Sequence, residues 1–94
     1  MEKHFVYIMA SKRNGTLYIG YTNNLKRRIK EHRSTNRETF TKRYEINRLV
    51  YYEMHDGEKS AFRRERQMKK WYRKWKIKLI EEFNPEWKDL YNEL

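Results

Sequence analysis

LYIGYTNNLKRRIKEHR, residues 17–33, reads as a short strand that stops at a glycine, crosses a polar turn and enters a helix. Leu17 to Tyr21 is rich in β-branched and aromatic residues, which favour a pleated surface. Asn23 or Asn24 can cap the following helix by accepting a bond from an otherwise unpaired amide. On that helix Leu25, Ile29 and His32 fall at i, i+4 and i+7 and define the inward stripe. Arg28 lies inside the stripe, whereas Lys26, Arg27, Lys30 and Arg33 point elsewhere. An inward arginine costs desolvation free energy unless an anion meets it. It can also snorkel, with its stem covering apolar surface.

On the N-terminal side, Phe5 to Ala10 is a first strand, joined to Leu17–Tyr21 through the turn SKRNGT, in which Asn14-Gly15 supplies positive φ. The register of this hairpin decides where two tyrosines go. A two-residue turn at Asn14-Gly15 sets Tyr7 and Tyr18 on one face, roughly 13 Å apart along the ladder. A turn centred on Lys12-Arg13 places them directly opposite, about 5 Å apart. A three-residue loop sends them to opposite faces. On the C-terminal side, Ser34 to Tyr44 is polar and aperiodic, a loop whose Arg37, Lys42 and Arg43 could meet phosphates. Glu45 to Met54 is a third strand with apolar groups toward both faces.

From Glu58 the period becomes helical. Ala61, Glu65, Met68, Tyr72, Trp75 and Leu79 form one stripe, apolar or aromatic except for Glu65. Arg63, Arg66, Lys70, Arg73 and Lys74 occupy the opposite face. The pattern admits one long helix or two, broken near Tyr72–Lys74. Asn84-Pro85 ends it, and Pro85 suits the first turn of a short terminal helix through Trp87, Leu90 and Tyr91.

Composition bounds what these elements can do. Ninety-four residues imply one domain, residues 1–94, with a small core that 15 aromatic side chains are large enough to fill. A net charge of +10 selects a polyanionic partner. The absence of cysteine excludes disulfides and cysteine–zinc sites. No apolar run approaches ~20 residues and no secretory leader is visible, so a cytoplasmic protein with no membrane role is expected. The fold expected is α/β (α+β): a three-stranded antiparallel sheet flanked by helices, in the order β-β-α-β-α-α.

Arg28 and Glu65 are each charged on an otherwise apolar helix face. A buried Arg28–Glu65 ion pair would account for both. Together with Val6-Tyr7-Ile8, Tyr18-Ile19-Gly20 and an arginine eight residues past that glycine, the pattern resembles the GIY-YIG nucleases. That family includes homing endonucleases, some restriction enzymes and the N-terminal domain of the excinuclease C subunit. The likeness runs from Phe5 to Leu94 and is strongest to small stand-alone members, whose ending is similar to NPEWKDLY, residues 84–91. The leading glycine of the first triplet is replaced by Val6, while the second triplet is intact.

The resemblance implies that Tyr7 and Tyr18 orient or deprotonate the attacking water and that Arg28 stabilises the phosphorane. It implies that His32 assists and that Glu65 binds a divalent metal, Mg2+ or Mn2+. In several members an asparagine near the C-terminus lines the site; Asn84 is either that residue or simply a helix end. These residue types suit the chemistry. A guanidinium fork matches phosphate oxygens, one carboxylate can hold Mg2+ with most of its waters, and imidazole suits proton transfer. A phenol is a poor base at neutral pH without positive charge nearby. Lys12, Arg13, Arg27, Arg63 and Arg66 are the candidate contacts to nucleic acid, most simply DNA. The expected activity is metal-dependent endonucleolysis with little sequence specificity, which a partner protein would have to supply. The rival reading is a basic nucleic-acid-binding module without catalysis, served by Trp71, Trp75 and nine basic side chains between Arg63 and Lys78.

Overall fold

The computed structural model describes residues 2–34 and 45–94. Arg37, Lys42 and Arg43, and the loop assigned to them, lie outside the described residues. The elements follow the expected order: β1 (His4–Ala10), β2 (Leu17–Thr22), α1 (Leu25–Ser34), β3 (Arg48–His55), α2 (Glu58–Lys69), α3 (Arg73–Phe83) and a closing 3-10 turn at Leu90–Glu93. The three strands form one antiparallel sheet in the order β2-β1-β3. The third strand begins later than the Glu45 expected from its composition.

Central position explains β1: Val6, Tyr7, Ile8, Met9 and Ala10 are all fully buried, because both sheet faces are covered. Strand alternation divides them between two cores. Val6, Ile8 and Ala10 pack with Ile19, Val50, Ala61, Met68, Ile80 and Trp87 under α2 and α3. Tyr7 and Met9 pack on the other face with Leu25 and Ile29 of α1, Leu49 and Leu90. Each fully buried aliphatic side chain contributes about 1.5–3 kcal/mol relative to exposure.

None of the three hairpin registers expected from the sequence occurs. Tyr7 pairs with Gly20 and Met9 with Tyr18, so the tyrosines share a face two positions apart on the ladder. The intervening Ser11–Thr16 loop is closed by bonds from Ser11 N to Thr16 O and from Gly15 N to Lys12 O. Only Asn14 takes positive φ, at 58°; Gly15 does not. Arg73 of α3 donates to the Asn14 and Gly15 carbonyls at 2.7 and 2.6 Å, so a helix far along the chain pins the turn.

The long helical stripe also breaks. The amides of Lys70 and Trp71 fold back onto Gln67 and Met68, and Tyr72 adopts extended backbone before α3 begins. Ala61 and Met68 stay buried, but Tyr72 and Trp75 turn outward, and Ile80 takes the core position instead. The extended backbone at Tyr72 resets the helical register, so α3 presents Ile80 to the core. After α3, Asn84 ends the helix, but no terminal α-helix follows. Its buried amide donates to the Val50 and Lys88 carbonyls at 3.1 and 2.8 Å and accepts from Lys88 N at 3.1 Å. Asn84 is thus a latch between chain end and sheet. Among the described residues no helix is long and apolar enough to cross a membrane.

Candidate active site

The site begins with a cap. Asn24 Oδ1 accepts from Arg27 N at 3.1 Å and starts α1, so the choice between Asn23 and Asn24 falls to Asn24. Leu25 and Ile29 then bury one side of the helix against the Tyr7 face of the sheet. With that side fixed, Arg28 and His32, one turn apart, stand in a column beside the strand tyrosines.

Tyr7, Tyr18 and His32 form a three-ring cluster, with centroids 6.3 Å apart for the tyrosines, 6.2 Å for Tyr7–His32 and 5.2 Å for Tyr18–His32. The Tyr7 hydroxyl lies 3.3 Å from His32 Nε2. Gly20 makes this arrangement possible. The Tyr7 ring crosses its cross-strand partner, and a Cβ at Gly20 would meet Tyr7 Oη at 2.6 Å and Tyr18 Cε2 at 3.2 Å. The glycine is needed for space and not for its backbone angle.

Electrostatics converge on the same hydroxyl. Burial raises the Tyr7 pKa, and neighbouring Tyr18 and the Glu65 charge add to the rise, while the charge and hydrogen bond of Arg28 oppose it. The net direction is upward, which favours the neutral phenol, the form that can orient a partner by hydrogen bonding. Burial, then the Arg28 charge, lowers the His32 pKa against the weaker pull of Glu31. A neutral His32 ring can accept the Tyr7 proton at Nε2 in the matching tautomer.

Glu65 hangs from α2 on the opposite sheet face, 8 % exposed, yet its charge registers at Tyr7. The buried Arg28–Glu65 pair expected from the two stripes does not form. Arg28 is half-exposed with Glu31 at 3.5 Å, and Glu65 accepts Lys69 Nζ at 3.0 Å. Among the described residues no group of three acidic or histidine side chains could enclose a metal. Glu53 and Asp56 are engaged elsewhere, with Arg64 and Lys3 respectively.

The candidate nucleic-acid contacts are dispersed. Lys12 and Arg13 are exposed on the hairpin turn, and Arg27 is exposed on α1 with Glu31 at 3.9 Å. Arg63 and Arg66 line an open hollow on the outer side of α2 with Lys59 and Phe62. Two residues escaped the sequence reading. Arg64 belongs to an interior network, and Lys69 sits on the candidate metal ligand. Lys69 stands four residues past Glu65 and Arg64 eleven past Glu53, and their basic character alone does not distinguish them from solvated neighbours.

A family model described as the GIY-YIG catalytic domain matches residues 3–78. The chain belongs to the GIY-YIG family. Relatives include a UPF0213 protein of Staphylococcus haemolyticus, 43% identical over 82 residues that cover 87% of this chain and 99% of that protein. A UPF0213 protein of Staphylococcus saprophyticus is 39% identical with the same coverage. The solution NMR structure of a UPF0213 protein from Bacillus halodurans is 33% identical, covers 83% of this chain and 82% of that one, and superposes with a TM-score of 0.51. The two triplets of the family name therefore fall, in this GIY-YIG chain, on the paired strands that carry the ring cluster, with Gly20 as the space-making partner of Tyr7.

Proposed function

We propose that this GIY-YIG protein is a Mg2+- or Mn2+-dependent endonuclease that hydrolyses DNA phosphodiester bonds with little sequence specificity of its own. The observation that carries the reading is the Tyr7 hydroxyl, within hydrogen-bonding reach of His32 and within electrostatic reach of Tyr18, Arg28 and Glu65. Phosphodiester hydrolysis needs an oriented water, neutralisation of the pentavalent oxygens and help for the leaving oxygen. Tyr7 and Tyr18 orient the water in this scheme. His32, neutral in its buried setting, receives a proton through the Tyr7 hydroxyl. Arg28, half-exposed at the cluster's rim, directs its fork to the phosphate.

Glu65 is the residue that would hold the metal. A single carboxylate would suffice for Mg2+, an ion that prefers oxygen ligands and retains much of its water. When bound, the cation polarises the scissile phosphate and steadies the leaving group. Lys69, 53% exposed on a flexible stem, can swing off Glu65 as it loads.

Glu65→Gln tests the proposal against a non-catalytic binding module on the same fold. Cleavage of plasmid should fall on the order of a hundredfold or more, with metal-free DNA affinity held or raised. The melting temperature is measured alongside, since Glu65 is buried. A folded variant that cuts at the parental rate removes Glu65 from the site. A parent protein that binds DNA but never cuts it leaves the binding module.

A further inference from the structure

The segment KKWYRKWKIK, residues 69–78, carries six cations and no acidic residue, with three aromatic rings among them. The break between α2 and α3 turns those rings outward. Tyr72 is 69% exposed and Trp75 48% exposed, although their period matches the buried Ala61 and Met68. Tyr72 meets Trp75 edge-on at 5.0 Å, and Trp71 meets it at 6.4 Å. Trp71 and Trp75 wall a shallow hollow with Lys78 and Leu79, and Glu82 closes its far rim. Arg64 stacks over Trp71 at 5.0 Å from the inner side, so the base of the hollow is fixed.

Large aromatic surface left in water by a small domain marks a contact site. Its chemistry limits the occupant. A second copy of a +10 chain would set cations against cations. Duplex DNA offers phosphates but keeps the faces of its bases stacked. Unpaired nucleotides offer both an anionic backbone for the lysines and free π-faces for the rings.

We infer that Tyr72, Trp75 and the surrounding lysines form a platform for single-stranded nucleic acid, separate from the ring cluster around Tyr7. This deepens the nuclease reading, on which it rests for one step: the substrate would carry an unpaired strand beside the bond that is cut. Stacking on the rings supplies strand preference, and phosphate contacts supply sequence-independent affinity.

Binding of a short oligothymidylate and of a blunt duplex, both in EDTA, tests the platform without cleavage. Replacing both exposed rings, Tyr72→Ala with Trp75→Ala, should weaken oligothymidylate roughly tenfold or more and leave the duplex unchanged. Tyr72→Phe with Trp75→Phe retains the π-faces and should restore affinity, which a merely disturbed fold would not allow. In the parent protein the oligonucleotide should quench the emission of Trp71 and Trp75, with Trp87 as the buried internal reference. Equal losses on single strand and duplex, no loss on either, or tighter binding to anionic phospholipid vesicles than to oligothymidylate would each overturn the platform. If the rings bind oligothymidylate and no DNA is ever cut, the platform stands and the nuclease reading fails.

Discussion

Tyr7, His32 and Arg28 on one face of the sheet have a counterpart in Tyr51, His55 and Arg64 on the other, and the two groups differ in what lies between their members. In the second, the Glu53 carboxylate accepts the Tyr51 hydroxyl at 2.5 Å, His55 Nε2 at 2.6 Å and Arg64 Nε at 3.0 Å. His55 Nδ1 is in turn 2.5 Å from Ser60 Oγ. Glu53 thus meets a phenol, an imidazole and a guanidinium at once, and the cluster ties β3 to α2. In the first group the acid beside Arg28 is Glu31, on the exposed side of α1. The same three residue types are tied into a strut where Glu53 sits among them; under the proposed function they meet a substrate phosphate where no such carboxylate joins them.

Exchanging one arginine from each group gives the sharpest break of this comparison. Arg28→Gln should lower cleavage on the order of a hundredfold to a thousandfold, the scale of a lost oxyanion contact. It should move the melting temperature little, because an exposed pair such as Arg28–Glu31 is worth under about 1 kcal/mol. Arg64→Gln should do the reverse. Removing the cation from Glu53 costs about 1–3 kcal/mol, while the rate per folded molecule stays near the parental value. Chemical denaturation and single-turnover cleavage on both variants check the crossed pattern. A collapse of stability in Arg28→Gln would make the first cluster a strut like the second.

Acid separates the clusters more gently. Burial alone would push the Glu53 pKa up, but the hydrogen bonds from Tyr51, His55 and Arg64 outweigh it and hold the value below 4.5. A carboxylate with a depressed folded pKa contributes stability that is present above its unfolded value and lost as pH falls through the folded one. Acid unfolding should therefore steepen below about pH 4.5, and Glu53→Gln should flatten that limb. His32 runs the other way in kind, since burial and Arg28 keep it neutral below its ordinary 6.5. The acid limb of cleavage should lie below pH 6.5 and shift in His32→Asn. A limb at or above 6.5 in the parent would take His32 out of the proton path.

What the sequence made legible is what local periodicity encodes. The strand–turn–helix stretch carries alternation, an Asn cap and an i, i+4 stripe, so β2, α1 and the placement of Arg28 and His32 follow from neighbours in the chain. The inward Glu65 was visible as one carboxylate in an apolar stripe. Its actual partner was not, because Lys69 looks like any solvated lysine. The hairpin register was hidden since Asn14-Gly15, the signature of a two-residue turn, sits inside a six-residue loop pinned by Arg73 from 58 residues away. The α2–α3 break carries no glycine or proline, so the sequence left one helix or two open, and the structure takes the second, with Ile80 and not Trp75 in the core. The Glu53 network joins a strand to a helix and exists only in three dimensions.

The smallest effect concerns the one point where the open cluster has an internal cation on its metal candidate. Lys69 Nζ lies 3.0 Å from Glu65, and the lysine is more than half exposed while the glutamate side chain is 10% exposed. A pair with one partner in solvent is worth about 0.2–1 kcal/mol, so a metal competing for Glu65 must overcome that much. Lys69→Met keeps the aliphatic stem and helix propensity and removes the competitor. The Mn2+ affinity measured by titration should rise about 1.4- to fivefold, which is that free energy expressed as a ratio. The Mg2+ concentration for half-maximal cleavage should fall by the same factor, with the rate at saturating metal unchanged. A fall in saturated rate would mean that Lys69 itself touches the substrate. An unchanged Mn2+ affinity would mean that the cation binds away from Glu65, which would then resemble Glu53, a carboxylate whose business is internal.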